Sequence, residues 1–340
     1  MKIILTFAGM KPGGVTADVR NLELGLRTRD VDVAVAGDLG EVRRQLRGGG
    51  TVVHVFSSMP SMTTYGALAL ARARHHPLVW TPVFHPSRPR SWVGYGPARV
   101  MAVFDRIAPW TARLVDGVIA ATDAETEFFE RRGAPLVETI APAVERTTGA
   151  LSGAARSAAR ATFGLGNEPT VLVVARADNS RRKGLPLAAD AFRELRRRLP
   201  TARLLLLGYG EGPLTGEPGV VATGWVDAER AAAAYGSADA LLVSSIYEGL
   251  PRAVVEAWSH ELPVVVTNRV ALAPLVRTGA GEVVAFGDVA ALADSLAFVL
   301  THPEQAHEYG VAGRALVEDR FLLDDHVERT LAMYQKVASR

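Results

Sequence analysis

The chain has 340 residues, 48% of them hydrophobic, a formal net charge of +2 and no cysteine. That length calls for two domains with enough apolar content for two cores, and the small charge argues against a dedicated nucleic-acid binder. The lack of cysteine excludes disulfides, thiolate nucleophiles and cysteine metal sites, which fits a cytoplasmic protein.

In the first half, apolar runs predict strands over 2–7, 31–36, 51–56, 77–80 and 117–121, with helical patterns over 17–29, 41–47, 62–74, 98–116 and 123–132. The opening M-K-I-I-L-T-F-A-G-M is read as a strand, not a signal peptide. No apolar run reaches the roughly 18 residues a spanning helix needs. In the second half, strands are expected over 170–174, 202–207, 220–222, 240–244, 263–267 and 282–285. Helices are expected over 186–198, 228–235, 252–260 and 289–300. Such alternation means parallel sheets covered by helices on both faces, and right-handed crossovers make two doubly wound domains. The boundary falls in the Thr-, Gly-, Ala- and Ser-rich stretch 145–161, giving domains over 1–150 and 151–323. Ligands of open α/β sheets bind beyond the carboxyl ends of the strands, so two such domains facing each other would place a site in a central cleft.

One stretch concentrates the chemistry: S-S-I-Y-E-G-L-P-R-A-V-V-E-A, from Ser244 to Ala257. A strand runs into a loop carrying Glu248, Gly249, Leu250 and Pro251, and a helix carrying Glu256 opens at once. The free N–H groups of a first helical turn and the helix dipole favour an anion. Gly249 allows close backbone approach, and Pro251 costs no hydrogen bond there. Phosphate at the N–H groups and sugar hydroxyls at the two carboxylates would suit. Taken alone, the pair reads first as one solvated glutamate on a loop and another on an ordinary amphipathic helix. Glu256 lies among Ala253, Val254, Val255, Ala257 and Trp258, so it needs a partner or a cleft.

Other loops add to this. In A-R-A-D-N-S-R-R-K-G, Arg176 and Lys183 stand where both can reach one diphosphate, while Arg181 and Arg182 are expected to be solvated. Gly208-Tyr209-Gly210-Glu211-Gly212 reads as a tight turn, since the G-x-G-x-x-G spacing fails. Lys11-Pro12-Gly13-Gly14 can bring backbone to a phosphate or sugar, and His85 follows a strand's carboxyl end. Asp30-Val31-Asp32 could hold a metal but lies at the wrong end of its strand. The aromatic and basic stretch 86–110 could contact a membrane surface weakly, shape an acceptor pocket or form a core helix.

Together these residues resemble family 4 of the retaining, nucleotide-sugar-dependent glycosyltransferases, which have the GT-B fold. The resemblance spans nearly the whole chain and is closest after Thr170. It rests on an ordered set: Arg176 with Lys183-Gly184; Gly208 and Gly210; Gly224-Trp225-Val226; Ala238-Asp239-Ala240; S-x-x-E-G-L-P-x4-E-A from Ser245; Pro263-Val264-Val265; and E-D-R-F from Glu318. It implies that Arg176 and Lys183 hold the donor diphosphate, with N–H groups near Gly249 and Leu250. Glu256 would bind the ribose, Glu248 the transferred sugar and Trp225–Val226 the base. His85, Gly13 and Gly14 would contribute from the first domain. A last helix over 324–340 would return to that domain. Neither cofactor nor metal is implied, and the partners are a nucleotide-sugar donor and a small-molecule or glycoconjugate hydroxyl acceptor. The Ala- and Arg-rich composition suggests a high-GC bacterial source. The chain departs from the family at Ser244-Ser245, at Glu261 (usually Gly), at Pro142-Ala143-Val144-Glu145 and at Val270-Ala271-Leu272-Ala273-Pro274. A GT-B sugar-nucleotide epimerase and a nicotinamide dehydrogenase are the alternatives.

Overall fold

A computed structural model describes residues 1–7, 14–46, 50–57, 62–82, 98–175, 181–208, 214 and 216–340. The chain divides into two compact units, one of Met1–Glu145 with Phe321–Arg340 and one of Arg146–Arg320.

The first unit holds six parallel strands: β1 (Lys2–Thr6), β2 (Asp32–Ala36), β3 (Thr51–Ser57), β4 (Leu78–Pro82), β5 (Gly117–Ala120) and β6 (Val137–Thr139). Their order is β2-β1-β3-β4-β5-β6. Between them lie α1 (Gly14–Arg27), α2 (Leu39–Gln45), α3 (Met62–Ala73), α4 (Ala98–Leu114) and α5 (Asp123–Glu130). Successive strand residues point to opposite faces. Ile4, Val53 and Trp80 therefore enter one apolar core, while Ile3, Leu5, Val52 and Val79 enter the other. Helix α5 is capped by Thr122, whose Oγ1 accepts from Glu125 N, while Glu125 Oε2 reaches back beyond the cap to accept from Ala121 N.

The second unit repeats the plan with β7 (Thr170–Val174), β8 (Arg203–Leu207), β9 (Val220–Gly224), β10 (Ala240–Val243), β11 (Val264–Thr267) and β12 (Gly281–Val284). Its helices are α6 (Gly153–Ala161), α7 (Leu185–Arg198), α8 (Ala228–Ser237), α9 (Arg252–Ser259), the single turn α10 (Ala273–Leu275), α11 (Val289–Thr301) and α12 (Pro303–Arg320). The order β12-β11-β10-β7-β8-β9 makes neighbours of the first and fourth strands of the unit. Chain direction across the sheet reverses between β7 and β10, so the crevice beyond their carboxyl ends is the topological switch point.

Helix α9 ends in a Schellman turn, with Leu262 N bonding Ala257 O at 2.9 Å and Glu261 N bonding Trp258 O at 3.0 Å. Glu261 takes the left-handed conformation there, φ +56°. Helix α12 lies across this turn through two glycines. A Cβ on Gly310 would stand 2.1 Å from Glu261 O, and one on Gly313 would stand 2.1 Å from Trp258 Cδ1.

Helix α13 (Leu323–Ala338) belongs to the first unit and packs on α1, where a Cβ on Gly25 would lie 2.4 Å from Val327 Cγ2. Its Tyr334 hydroxyl meets His54 Nδ1 at 2.7 Å, and His54 Nε2 meets Thr81 Oγ1 at 2.7 Å. Burial, helped by His326, holds the His54 imidazole well below its usual pKa.

Candidate functional site

Two loops meet at the β7–β10 switch point. The loop before α7 carries Arg181, Arg182, Lys183 and Gly184, and the loop before α9 carries residues 244–251. Backbone atoms join them. Ile246 N bonds Arg182 O at 2.9 Å, and the Ser244 hydroxyl lies 3.0 Å from both Lys183 O and Gly184 O. Gly184 is left-handed, φ +69°, and a Cβ there would fall 1.9 Å from Ser244 O, so only glycine lets the loops come this close. On the far side, Glu248 N bonds Arg269 O at 3.4 Å and Ala271 N bonds Glu248 O at 2.9 Å, which ties the site loop to the segment after β11.

This framework presents one buried carboxylate to two cations. Glu248, 7% exposed, accepts through Oε1 from Arg182 Nη1 at 2.7 Å and Lys183 Nζ at 2.8 Å, with Ser245 Oγ at 3.4 Å. Arg182, expected to be solvated, is instead half-buried and turned onto Glu248. Its position beside Lys183 in an R-R-K run gave no sign of this, because only the fold shows which basic side chain turns inward. Helix α9 follows directly on this loop, with Pro251 at its N-cap and no side chain capping its first turn, so the positive end of its dipole lies at the end of the loop. Gly249 and Pro251 are buried, and Leu250 is half-buried.

Glu256, one turn into α9, keeps a side chain 31% exposed. Arg252 Nε holds its Oε1 at 2.7 Å, and the buried Tyr235 hydroxyl donates to its Oε2 at 2.6 Å. The partner that an apolar neighbourhood demands is thus Tyr235 on α8. A carboxylate has about four lone-pair sites, so capacity remains for a ligand hydroxyl.

At the other edge, Gly208 follows β8 with φ +81°, and Trp225 and Val226 follow β9, Trp225 standing 70% exposed. Gly14 opens α1. Gly13, His85 and Arg176 lie outside the described residues, as does much of the stretch 86–110. Among the described residues no group of three or more His, Cys, Asp or Glu could hold a metal, and no helix is long and apolar enough to cross a membrane. A cavity of about 240 Å³ opens at the opposite, amino ends of β10 and β11. The charged side chains on its wall are already paired, Arg156 with Asp239 at 2.7 Å and Glu261 with Arg314 at 3.7 Å, so the chemistry points to the carboxyl ends.

The sequence matches the family described as glycosyl transferases group 1 over residues 168–302, the span that carries both loops. It is also 30% identical over 310 residues to a phosphatidyl-myo-inositol mannosyltransferase of Mycobacterium leprae, covering 88% of this chain and 77% of the relative. The chain belongs to the group 1 glycosyltransferases. Similar solved structures agree on the fold of this glycosyltransferase. Sucrose-phosphate synthase from Thermosynechococcus elongatus matches with a TM-score of 0.79 at 18% identity, covering 100% of both chains. HepE of Anabaena, solved in complex with UDP, matches with a TM-score of 0.76 at 19% identity, covering 99% of this chain and 100% of its own. The fold is GT-B, and membership of the group 1 glycosyltransferases displaces the epimerase and dehydrogenase readings.

Proposed function

We propose that this group 1 glycosyltransferase takes a nucleoside-diphosphate sugar as donor and transfers the sugar to a hydroxyl acceptor with retention of configuration, as a member of family 4. The observation that carries the reading is the pair of cations, Arg182 and Lys183, gathered by Glu248 beside the uncapped start of α9 at the switch point. That UDP is bound in the HepE structure supports a nucleoside diphosphate as the ligand of such a fold.

In this reading Lys183 and Arg176 hold the diphosphate, and N–H groups near Gly249 and Leu250 add to the grip. Breaking the glycosyl–phosphate bond leaves negative charge on the departing diphosphate and positive charge on the sugar. Fixed cations and a helix N-terminus stabilise the leaving group without needing a metal. The acceptor attacks on the face the diphosphate leaves, and a phosphate oxygen takes its proton, so Glu248 binds hydroxyls and is not a nucleophile. Glu256 holds the ribose and Trp225 lies against the base. His85 and the Gly13-Gly14 loop contribute from the first unit. The acceptor class follows the M. leprae relative, whose name specifies an inositol phospholipid. The enzyme would work in the cytoplasm, on soluble donor.

The test is a thermal-shift panel with UDP, GDP, ADP, dTDP and NAD, run on the wild type and on Lys183→Gln. One nucleoside diphosphate should raise the melting temperature of the wild type, and the variant should lose most of that shift. A flat response to every diphosphate would remove the donor site from this crevice.

A further inference from the structure

We propose that Glu248 is an internal stand-in for the donor diphosphate. Its carboxylate pairs with Arg182 and Lys183 and yields them when a nucleotide sugar arrives. The sugar hydroxyls then receive the freed carboxylate, so the site favours nucleotide sugar over the spent nucleoside diphosphate. This inference rests on the donor-site reading above and adds Arg182 to the diphosphate contacts.

The geometry makes an exchange of partners the natural event. A single oxygen, Glu248 Oε1, takes Arg182 at 2.7 Å and Lys183 at 2.8 Å. A phosphate oxygen needs those same N–H donors, and two phosphates offer more charge than one carboxylate. Both loops are fixed by backbone contacts: Ile246 N to Arg182 O, Ala271 N to Glu248 O, and Gly184 against Ser244. The exchange therefore needs side-chain rotation alone, with the loops left in place.

Its cost falls on Glu248. The carboxylate is buried, and separating it from two cations is unfavourable unless new donors reach it. Ser245 Oγ, at 3.4 Å, is a weak replacement. A nucleotide sugar brings hydroxyl donors with its diphosphate and satisfies the carboxylate it displaces. A nucleoside diphosphate carries no transferred sugar, and in this reading its ribose hydroxyls go to Glu256, so it meets more of the cost of the displacement and leaves more readily after transfer.

Calorimetric titration of Glu248→Gln and Glu248→Asp with UDP and UDP-glucose, and with GDP and GDP-mannose, tests this. The amide keeps the size of the side chain but releases both cations. The nucleoside diphosphate should bind about tenfold tighter than to wild type, a change of one decade in Kd, while the nucleotide sugar does not gain in parallel. The shorter carboxylate of Glu248→Asp should shift the ratio of the two affinities in the same direction. An unchanged ratio in a folded variant, or weaker nucleoside diphosphate binding, overturns the stand-in. Wild type alone overturns it too, if it binds the nucleoside diphosphate tighter than the nucleotide sugar. Lys183→Gln separates the two levels. If it leaves binding untouched, the donor site itself is misplaced; if it weakens binding while the Glu248 ratio stays fixed, only the stand-in fails.

Discussion

Tyr235 donates its hydroxyl to Glu256 Oε2 at 2.6 Å, from a ring buried on α8 and stacked flat on His260. Burial first, and then the neighbouring carboxylate, push this phenol well above its usual pKa, so it remains a donor throughout the working range. Tyr235→Phe keeps the packing and deletes the bond. It should lower stability by about 1.5 kcal/mol, the low end for a charge-assisted bond because Glu256 is partly solvated. If Glu256 holds the ribose, donor Kd should rise severalfold as the carboxylate loses its fixed orientation. Denaturant unfolding and donor titration read the two effects separately. Unchanged donor affinity with lowered stability would leave Glu256 a purely structural residue.

Glu261 occupies a backbone conformation that suits glycine, φ +56°, and its ion pair with Arg314 at 3.7 Å is loose. A left-handed non-glycine residue costs about 1–2 kcal/mol, more than a partly exposed pair returns. Glu261→Gly should therefore raise the stability of the second unit by about 0.5–1 kcal/mol. Gly310→Ala should do the reverse, by about 1–3 kcal/mol, because its methyl would collide with Glu261 O. Urea unfolding of both variants checks the signs.

Gly184→Ala should be among the most damaging single substitutions in the site. It adds a left-handed penalty to a Cβ placed 1.9 Å from Ser244 O, and the two loops must part to admit it. Loss of nucleoside diphosphate binding with the helical circular dichroism retained is the expected result. A variant with wild-type affinity would show that the loops can separate without harm.

His54 gives the first unit a pH dependence of definite sign. Its folded pKa lies below the unfolded value of about 6.5, so the unfolded chain binds the proton first. The stabilising contribution is complete above pH 6.5 and is lost as pH falls from there toward the folded value. His54→Gln keeps one polar group near Tyr334 and Thr81 but cannot titrate. It should be less stable than wild type at pH 7.5 and should lose less stability between pH 7.5 and 5.5. His76 and His260, also depressed by burial, titrate in both proteins, so the difference between the two curves isolates His54.

Much of this architecture is legible in the sequence. Parallel strands buried on both faces read as unbroken Val, Ile and Leu runs, as in Lys2–Thr6 and Thr170–Val174, and loops rich in Gly, Pro and Glu mark their carboxyl ends. The exceptions have physical reasons. β6 is a three-residue edge strand, too short for any pattern. α12 carries Gly310 and Gly313 in its interior because the turn after α9 and α9 itself press on them, so no apolar stripe announces it. In the site, the chemical types at Lys183, Glu248 and Glu256 stood out by their spacing in the chain. Their partners did not. Arg182 and Tyr235 owe their roles to tertiary placement, the latter 21 residues away from Glu256 on another helix.

The carboxylate of Glu248 is aimed by peptide groups: Ile246 N to Arg182 O on one side, and Glu248 N to Arg269 O and Ala271 N to Glu248 O on the other. Such bonds are indifferent to the side chains they connect. Val270-Ala271-Leu272-Ala273-Pro274, where the sequence departs from the family it resembles, can accordingly change side chains while the aim of the carboxylate stays the same. Substitutions in the surrounding side chains can then alter what the crevice accepts without rebuilding its backbone frame.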